Sequence, residues 1–205
     1  FGIFFSFLFL KKYFSKIHSL MTIAGFFLAT NLFYYTIDAS GMLHAYSFFL
    51  FSVIAFLTTV IYEQPRFKNI FFLFICLALA VLIRPTNILL LLFILFFGMC
   101  HSGGCRDRLF FFKKHWRVLG IAFIISFAIF IPQIIYWTQS YNSPIVYSYG
   151  NESFSYLFSP KLLLVWFSTN NGLITYSPVL IISIIGLLIL IRKKSINGIV
   201  ITVVF

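Results

Sequence analysis

The chain has 205 residues, of which 61% are hydrophobic and 9% charged, against about 25% charged in an average soluble domain. Its mean hydropathy is +1.04, and several apolar runs exceed about 18 residues, which excludes a soluble globular core. The formal net charge of +11 would suit nucleic acid only if the charges formed a patch. They fall between the apolar runs instead, as membrane topology requires, so nucleic acid is not an expected partner. Three cysteines, Cys76, Cys100 and Cys105, leave an odd count and read as free thiols.

In chain order, residues 1–10 read as the tail of one helix, followed by a basic turn through Lys11, Lys12 and Lys16. Residues 20–37 form the next expected span, with Asn31, Tyr34, Tyr35 and Thr36 crowding its far end, and Gly41 turns the chain into a return span over 45–62. After Pro65, Arg66 and Lys68 come two short apolar runs, 69–83 and 86–100, which meet at Arg84-Pro85-Thr86-Asn87. As helix, each run reaches roughly 22 Å, short of the ~30 Å hydrocarbon core. Proline has no backbone donor and disfavours helix at the residue before it, so the pair is expected to form a short hairpin with Arg84 at its tip.

A basic polar loop is expected over 101–117, then a span over 118–137, ended or kinked near Pro132. Residues 138–159 read as a long external loop, and Ser159-Pro160 as the start of a short interfacial helix over 160–167. A span over 173–191 carries Ser177-Pro178, either a kink or its true start, and 196–205 begins another. The chain opens on Phe1 and closes on Phe205, both inside apolar runs. It is therefore expected to be an internal piece of a longer protein. The expected architecture is all-α: a polytopic transmembrane helical bundle, incomplete at both ends.

Every Lys and Arg except Arg84 and Lys161 falls on one face of this topology. The positive-inside rule makes that face cytoplasmic and places 138–172 outside, in a cell (inner) membrane. Treating 69–100 as a single crossing would break the alternation, so the charges favour the hairpin. Asp38, His44, Arg84, Glu152 and Lys161 then share the outer face, where most of the unusual polar groups collect.

Three groups of strings carry a family likeness. The first is Asn31-Leu32-Phe33-Tyr34-Tyr35-Thr36 with Gly41-Met42-Leu43-His44-Ala45-Tyr46-Ser47-Phe48-Phe49 after it; the second is Leu82-Ile83-Arg84-Pro85-Thr86-Asn87. The third runs from Ser148-Tyr149-Gly150-Asn151-Glu152-Ser153-Phe154 through Phe158-Ser159-Pro160 to Asn171-Gly172-Leu173-Ile174-Thr175-Tyr176-Ser177-Pro178. In order and topology the chain resembles the bacterial protein-mannosyltransferase-like branch of the GT-C membrane glycosyltransferases. The resemblance implies transfer of a sugar from a polyprenyl-phosphate donor to a glycan, lipid or protein acceptor on the outer face, by inverting displacement. It also implies an acidic residue, acting as general base, in an external loop that would precede Phe1. Some members use a divalent cation and others none, so a metal is left open.

A lipid-phosphate donor needs cations at the outer head-group level, which points to Arg84, Lys161 and His44. The plain alternatives are snorkelling or interfacial anchoring for Arg84 and Lys161, and a hydrogen-bonded helix-end histidine for His44. Asp38, Tyr34, Tyr35, Asn87 and Glu152 are the candidate substrate contacts. For Asp38 the alternative is a loop turn, for the tyrosines an aromatic belt, and for Glu152 a solvated loop acid. Tyr147 and Tyr149 also offer rings for sugar stacking. Cys100-His101-Ser102-Gly103-Gly104-Cys105 offers three soft ligands and no fourth, which does not make a zinc site. Asn151-Glu152-Ser153 fits the N-glycosylation acceptor pattern. A transporter or lipid flippase is the rival class, but it predicts inverted repeats and mid-span breaks, whereas Pro132 and Pro178 lie near helix ends. A non-catalytic membrane scaffold is the other rival, and it would make Arg84→Ala harmless to sugar transfer.

Overall fold

The computed structural model describes residues 1–99, 104–146, 156, 159–170 and 172–193. Among these the regular structure is all helical, with no strand. The centre is α4 (Leu43–Glu63), packed between α1 (Gly2–Leu10) and α5 (Phe67–Ile83), with α7 (Cys105–Phe127) on the far side of α5. Ile70, Leu73, Leu77 and Ala80 repeat at helical spacing and turn one face of α5 to Leu50, Ile54 and Ile61 of α4. Leu90 and Ile94 of α6 (Leu90–Phe96) and Ala122 of α7 close the same core.

The α1–α4 contact is close because Gly2 has no side chain. A Cβ there would lie 2.8 Å from the Phe48 ring and 3.2 Å from the Phe49 Cα. One turn along, the hydroxyls of Ser6 and Ser52 meet at 2.9 Å.

Several helix ends differ from the sequence-based expectation. The helix expected over 20–37 begins earlier and breaks in the middle. Ser15 caps α2 (Lys16–Leu28) by accepting the His18 N–H at 3.4 Å. Thr30 then donates to the Phe26 carbonyl (2.7 Å) and accepts the Leu32 N–H (3.2 Å), which bends the chain into α3 (Leu32–Ile37). The expected polar loop over 101–117 is helical from Cys105 onward, bent at His115 (φ −107°, ψ 15°). Its charges ride on the first turns of α7 rather than on a loop.

A short 3₁₀ stretch, Ala128–Phe130, leads into α8 (Ile131–Tyr141), where Pro132 sits in the first turn and starts the helix instead of kinking it. That helix takes up the first residues of the expected external loop and closes at Asn142 in the left-handed conformation (φ 53°). The short helix expected over 160–167 is α9 (Leu162–Phe167). Beyond it, the span expected over 173–191 is interrupted at Ser177-Pro178, giving α10 (Leu173–Tyr176) and α11 (Leu180–Arg192).

Two helical stretches are long and apolar enough to cross a membrane, Leu43–Glu63 (21 residues) and Cys105–Tyr141 (37 residues). The path between them reverses. From α5 the chain turns at Arg84, and α6 brings Ile94 back to the end of α4, where its carbonyl accepts the Tyr62 hydroxyl at 2.7 Å. Phe9 of α1 packs on Phe93 and Phe97 at the same end (6.4 and 5.5 Å between ring centres), and Lys12 pairs with Glu63 at 2.7 Å. One end of the bundle therefore gathers the first basic turn, the α4–α5 turn and the start of α7. The other end carries His44 and Arg84.

Candidate functional site

The site is built where α5 stops. Arg84 is extended (φ −146°, ψ 121°) because Pro85 follows it, and a 3₁₀ turn, Pro85–Leu89, carries the chain over. Asn87 fastens this turn: its side-chain amide donates to the Ala80 carbonyl at 2.9 Å, and its backbone N–H donates to the Arg84 carbonyl at 2.9 Å. The Asn87 side chain is thus engaged with the chain's own backbone. Arg84 is left exposed at the tip, with no acidic partner among the described residues.

Arg84 lines an open pocket of about 510 Å³ together with His44 and the 39–43 turn. His44 sits in the first turn of α4, and its ring stacks on Tyr35 of α3 with centres 4.4 Å apart and planes 30° off parallel. Behind that stack lies a larger pocket of about 1000 Å³. His44 and Tyr35 wall it together with Asn31, Tyr34, Tyr176 and Ser177. His44 is therefore common to both pockets, with a cation on one side and a hydroxyl-, amide- and ring-lined chamber on the other. Such a chamber suits a polyol, since tyrosine rings offer an apolar face and hydroxyls offer hydrogen bonds.

The floor of the larger pocket depends on a tight turn between α9 and α10. Gly172 is buried there, and a Cβ would lie 2.5 Å from the Ser168 carbonyl oxygen and 2.6 Å from its nitrogen. The Tyr176 hydroxyl donates to the Thr169 carbonyl at 2.8 Å across the same turn.

Of the residues expected from sequence, His44, Tyr34, Tyr35 and Arg84 come together around these two pockets. Lys161 does not join them: it is exposed, and its ammonium sits 4.2 Å above the Tyr156 ring. Asp38 is exposed at the end of α3 and lines neither pocket. Glu152, Asn151, Tyr147, Tyr149 and the 100–103 part of the cysteine-histidine run lie outside the described residues. Among the described residues no three His, Cys, Asp or Glu side chains group as metal ligands.

Nothing in the sequence singles out Arg108, one of five basic residues in the 101–117 segment. It is 6% exposed, its guanidinium lies 3.3 Å from the Tyr62 ring centre, and Nη2 donates to the Phe97 carbonyl at 2.8 Å. Nε and Nη1 have no hydrogen-bond partner among the described residues. This cation ties α7, α4 and the end of α6 together at the end remote from Arg84. Nearby, burial first and the Glu63 carboxylate second raise the Tyr13 phenol above its ordinary pKa.

No protein-family model, curated protein or solved structure matches the chain, so the functional reading rests on its own residues.

Proposed function

We propose that the chain forms part of a multi-pass GT-C-like membrane glycosyltransferase. It would move a sugar from a polyprenyl-phosphate donor to an acceptor on the outer face of the cell membrane, with the basic loops cytoplasmic. The observation that carries this reading is convergence. The neighbouring strings 31–36 and 41–49 and the distant 84–87 and 172–178 all contribute residues to two pockets that share His44. They are part of the strings on which the family resemblance rests.

In this reading Arg84 grips the donor phosphate. A guanidinium offers a planar pair of N–H donors to phosphate oxygens and keeps its charge at any physiological pH. The acceptor hydroxyl attacks the anomeric carbon, the bond from that carbon to the phosphate oxygen breaks, and the phosphate departs with the electron pair into the field of Arg84. His44, between the pockets, is placed to hydrogen-bond the phosphate or the acceptor hydroxyl. In the family that the chain resembles, an acidic residue of an external loop takes the hydroxyl proton.

Span lengths support the membrane part of the reading. The 37-residue helical stretch Cys105–Tyr141 reaches about 55 Å at 1.5 Å per residue, well beyond a ~30 Å hydrocarbon core. Its basic first turns and the exposed Trp116-Arg117 pair then lie at the cytoplasmic interface, where such residues anchor helices.

The test is sugar transfer by the full-length protein in lipid, using a panel of polyprenyl-phosphate sugars. Arg84→Ala is expected to lower the rate about 10- to 100-fold, as removal of a charge-assisted phosphate contact does. His44→Ala is expected to lower it about tenfold or more. Wild-type transfer by folded Arg84→Ala protein would remove Arg84 from the site, and no transfer by the wild-type protein from any donor of the panel would sink the reading and favour a scaffold.

A further inference from the structure

A third cavity lies beside the site, in the body of the bundle. It is a slot of about 200 Å³ between α1, α2 and α4, walled by side chains such as Ile3, Phe9, Leu10, Ile23 and Ala55. Its hydroxyls are already engaged within the chain. Ser52 donates to the Phe48 carbonyl (2.7 Å), which leaves its oxygen to accept from Ser6 (2.9 Å), and Thr22 donates to the His18 carbonyl (2.8 Å). The slot therefore presents an apolar wall along roughly 10 Å of α1, from Ile3 to Leu10.

Phe26 and Phe48, stacked at 5.4 Å with planes 26° apart, wall both this slot and the larger pocket. No Lys, Arg, Asp or Glu lines either cavity. The smaller pocket holds Arg84 and shares no lining residue with the slot.

We infer, on the transferase reading above, that the sugar acceptor is a lipid, with an uncharged polar head in the larger pocket and its alkyl chain in the slot between α1, α2 and α4. The charge distribution selects the acceptor over the donor. A polyprenyl phosphate carries its anion directly on its chain, so a slot for that chain has to open beside a cation. The pocket that shares Phe26 and Phe48 with this slot offers hydroxyls, amides and rings, and Arg84 lines only the other pocket. A neutral-headed amphiphile satisfies both ends: its chain meets only apolar groups, and its head meets donors and acceptors without leaving a charge unpaired.

The test uses the full-length protein in nanodiscs and two photoprobes with the same chain-borne diazirine, dodecyl glucoside and dodecyl phosphate. The glucoside probe is expected to label α1, α2 and α4 around the slot, measured against the outer face of α11. Thr22→Trp, at the exposed rim of the slot, is expected to cut that labelling roughly tenfold. Ala55→Phe, which fills the slot from α4, repeats the test from the opposite wall, and Arg84→Ala leaves the labelling unchanged. Stronger slot labelling by the phosphate probe, or labelling that survives both filling variants, overturns the inference. Equal sugar transfer to methyl glucoside and to dodecyl glucoside overturns it too, while leaving the transferase reading in place. Slot labelling by the glucoside probe in a protein that transfers no sugar to any acceptor removes the transferase and keeps the amphiphile site.

Discussion

Arg84 and Arg108 are one residue type in two opposite settings. Arg84 was legible in the sequence because its neighbour is proline, which dictates backbone shape whatever the surroundings, so the helix had to stop there and leave the arginine at a tip. Arg108 was not legible. Its burial depends on Tyr62 and Phe97, which meet it only after the chain has reversed at Arg84, and no local pattern records such a meeting. The Tyr62 ring under the guanidinium and its hydroxyl on the Ile94 carbonyl make it the residue on which that end depends. Tyr62→Ala is expected to cost about 3 kcal/mol, the low end of the scale for deleting a core ring, because Tyr62 is only partly buried but its loss also strips Arg108 of its apolar cover. Tyr62→Phe keeps the ring and loses one hydrogen bond, for about 1 kcal/mol. Thermal unfolding of the purified full-length variants measures both, and equal losses would mean that the ring contact is idle.

At the scale of the element, hydropathy marks where apolar residues stop, which is not where a helix stops. That is why the basic stretch before Val118 read as loop although α7 begins at Cys105. Lysine and arginine are good helix formers and follow their helix out of an apolar layer without breaking it. The reverse miss lies at Thr30, where no glycine or proline announces a break and a threonine hydroxyl bonding back to the Phe26 carbonyl makes one. The turn between α9 and α10 is the element most exposed to a small change. Gly172→Ala places a methyl group 2.5 Å from the Ser168 oxygen, and backbone atoms there cannot step aside as a flexible side chain would. A loss of about 1–3 kcal/mol is expected, with faster proteolysis in the 168–172 segment and distortion of the pocket that Tyr176 lines. Gly172→Ala protein with unchanged protease resistance would show that the turn relaxes freely.

For the whole molecule, composition alone made the all-helical class legible, because long apolar runs with few charges satisfy their backbone groups internally only as helices. The pairing of helices was not legible, since Leu, Ile and Phe on every face offer no stripe that selects a partner. The proposed orientation makes a direct prediction. With Cys76, Cys100 and Cys105 replaced, an Arg84→Cys protein in intact cells is expected to react with a membrane-impermeant maleimide, and a Lys68→Cys protein only after permeabilisation. The opposite pattern would invert the topology and remove the outward site.

Lys12 and Glu63 form the one ion pair among the described residues, and both side chains are open to solvent at 24% and 62%. Such a pair contributes little and is easily screened. Cohesion among the described residues therefore owes little to exposed charge and more to interlocking shapes and the sheltered Arg108 contact. The melting midpoint of the purified full-length protein should accordingly stay nearly constant as ionic strength rises, and shift instead with the tail length of the surrounding detergent.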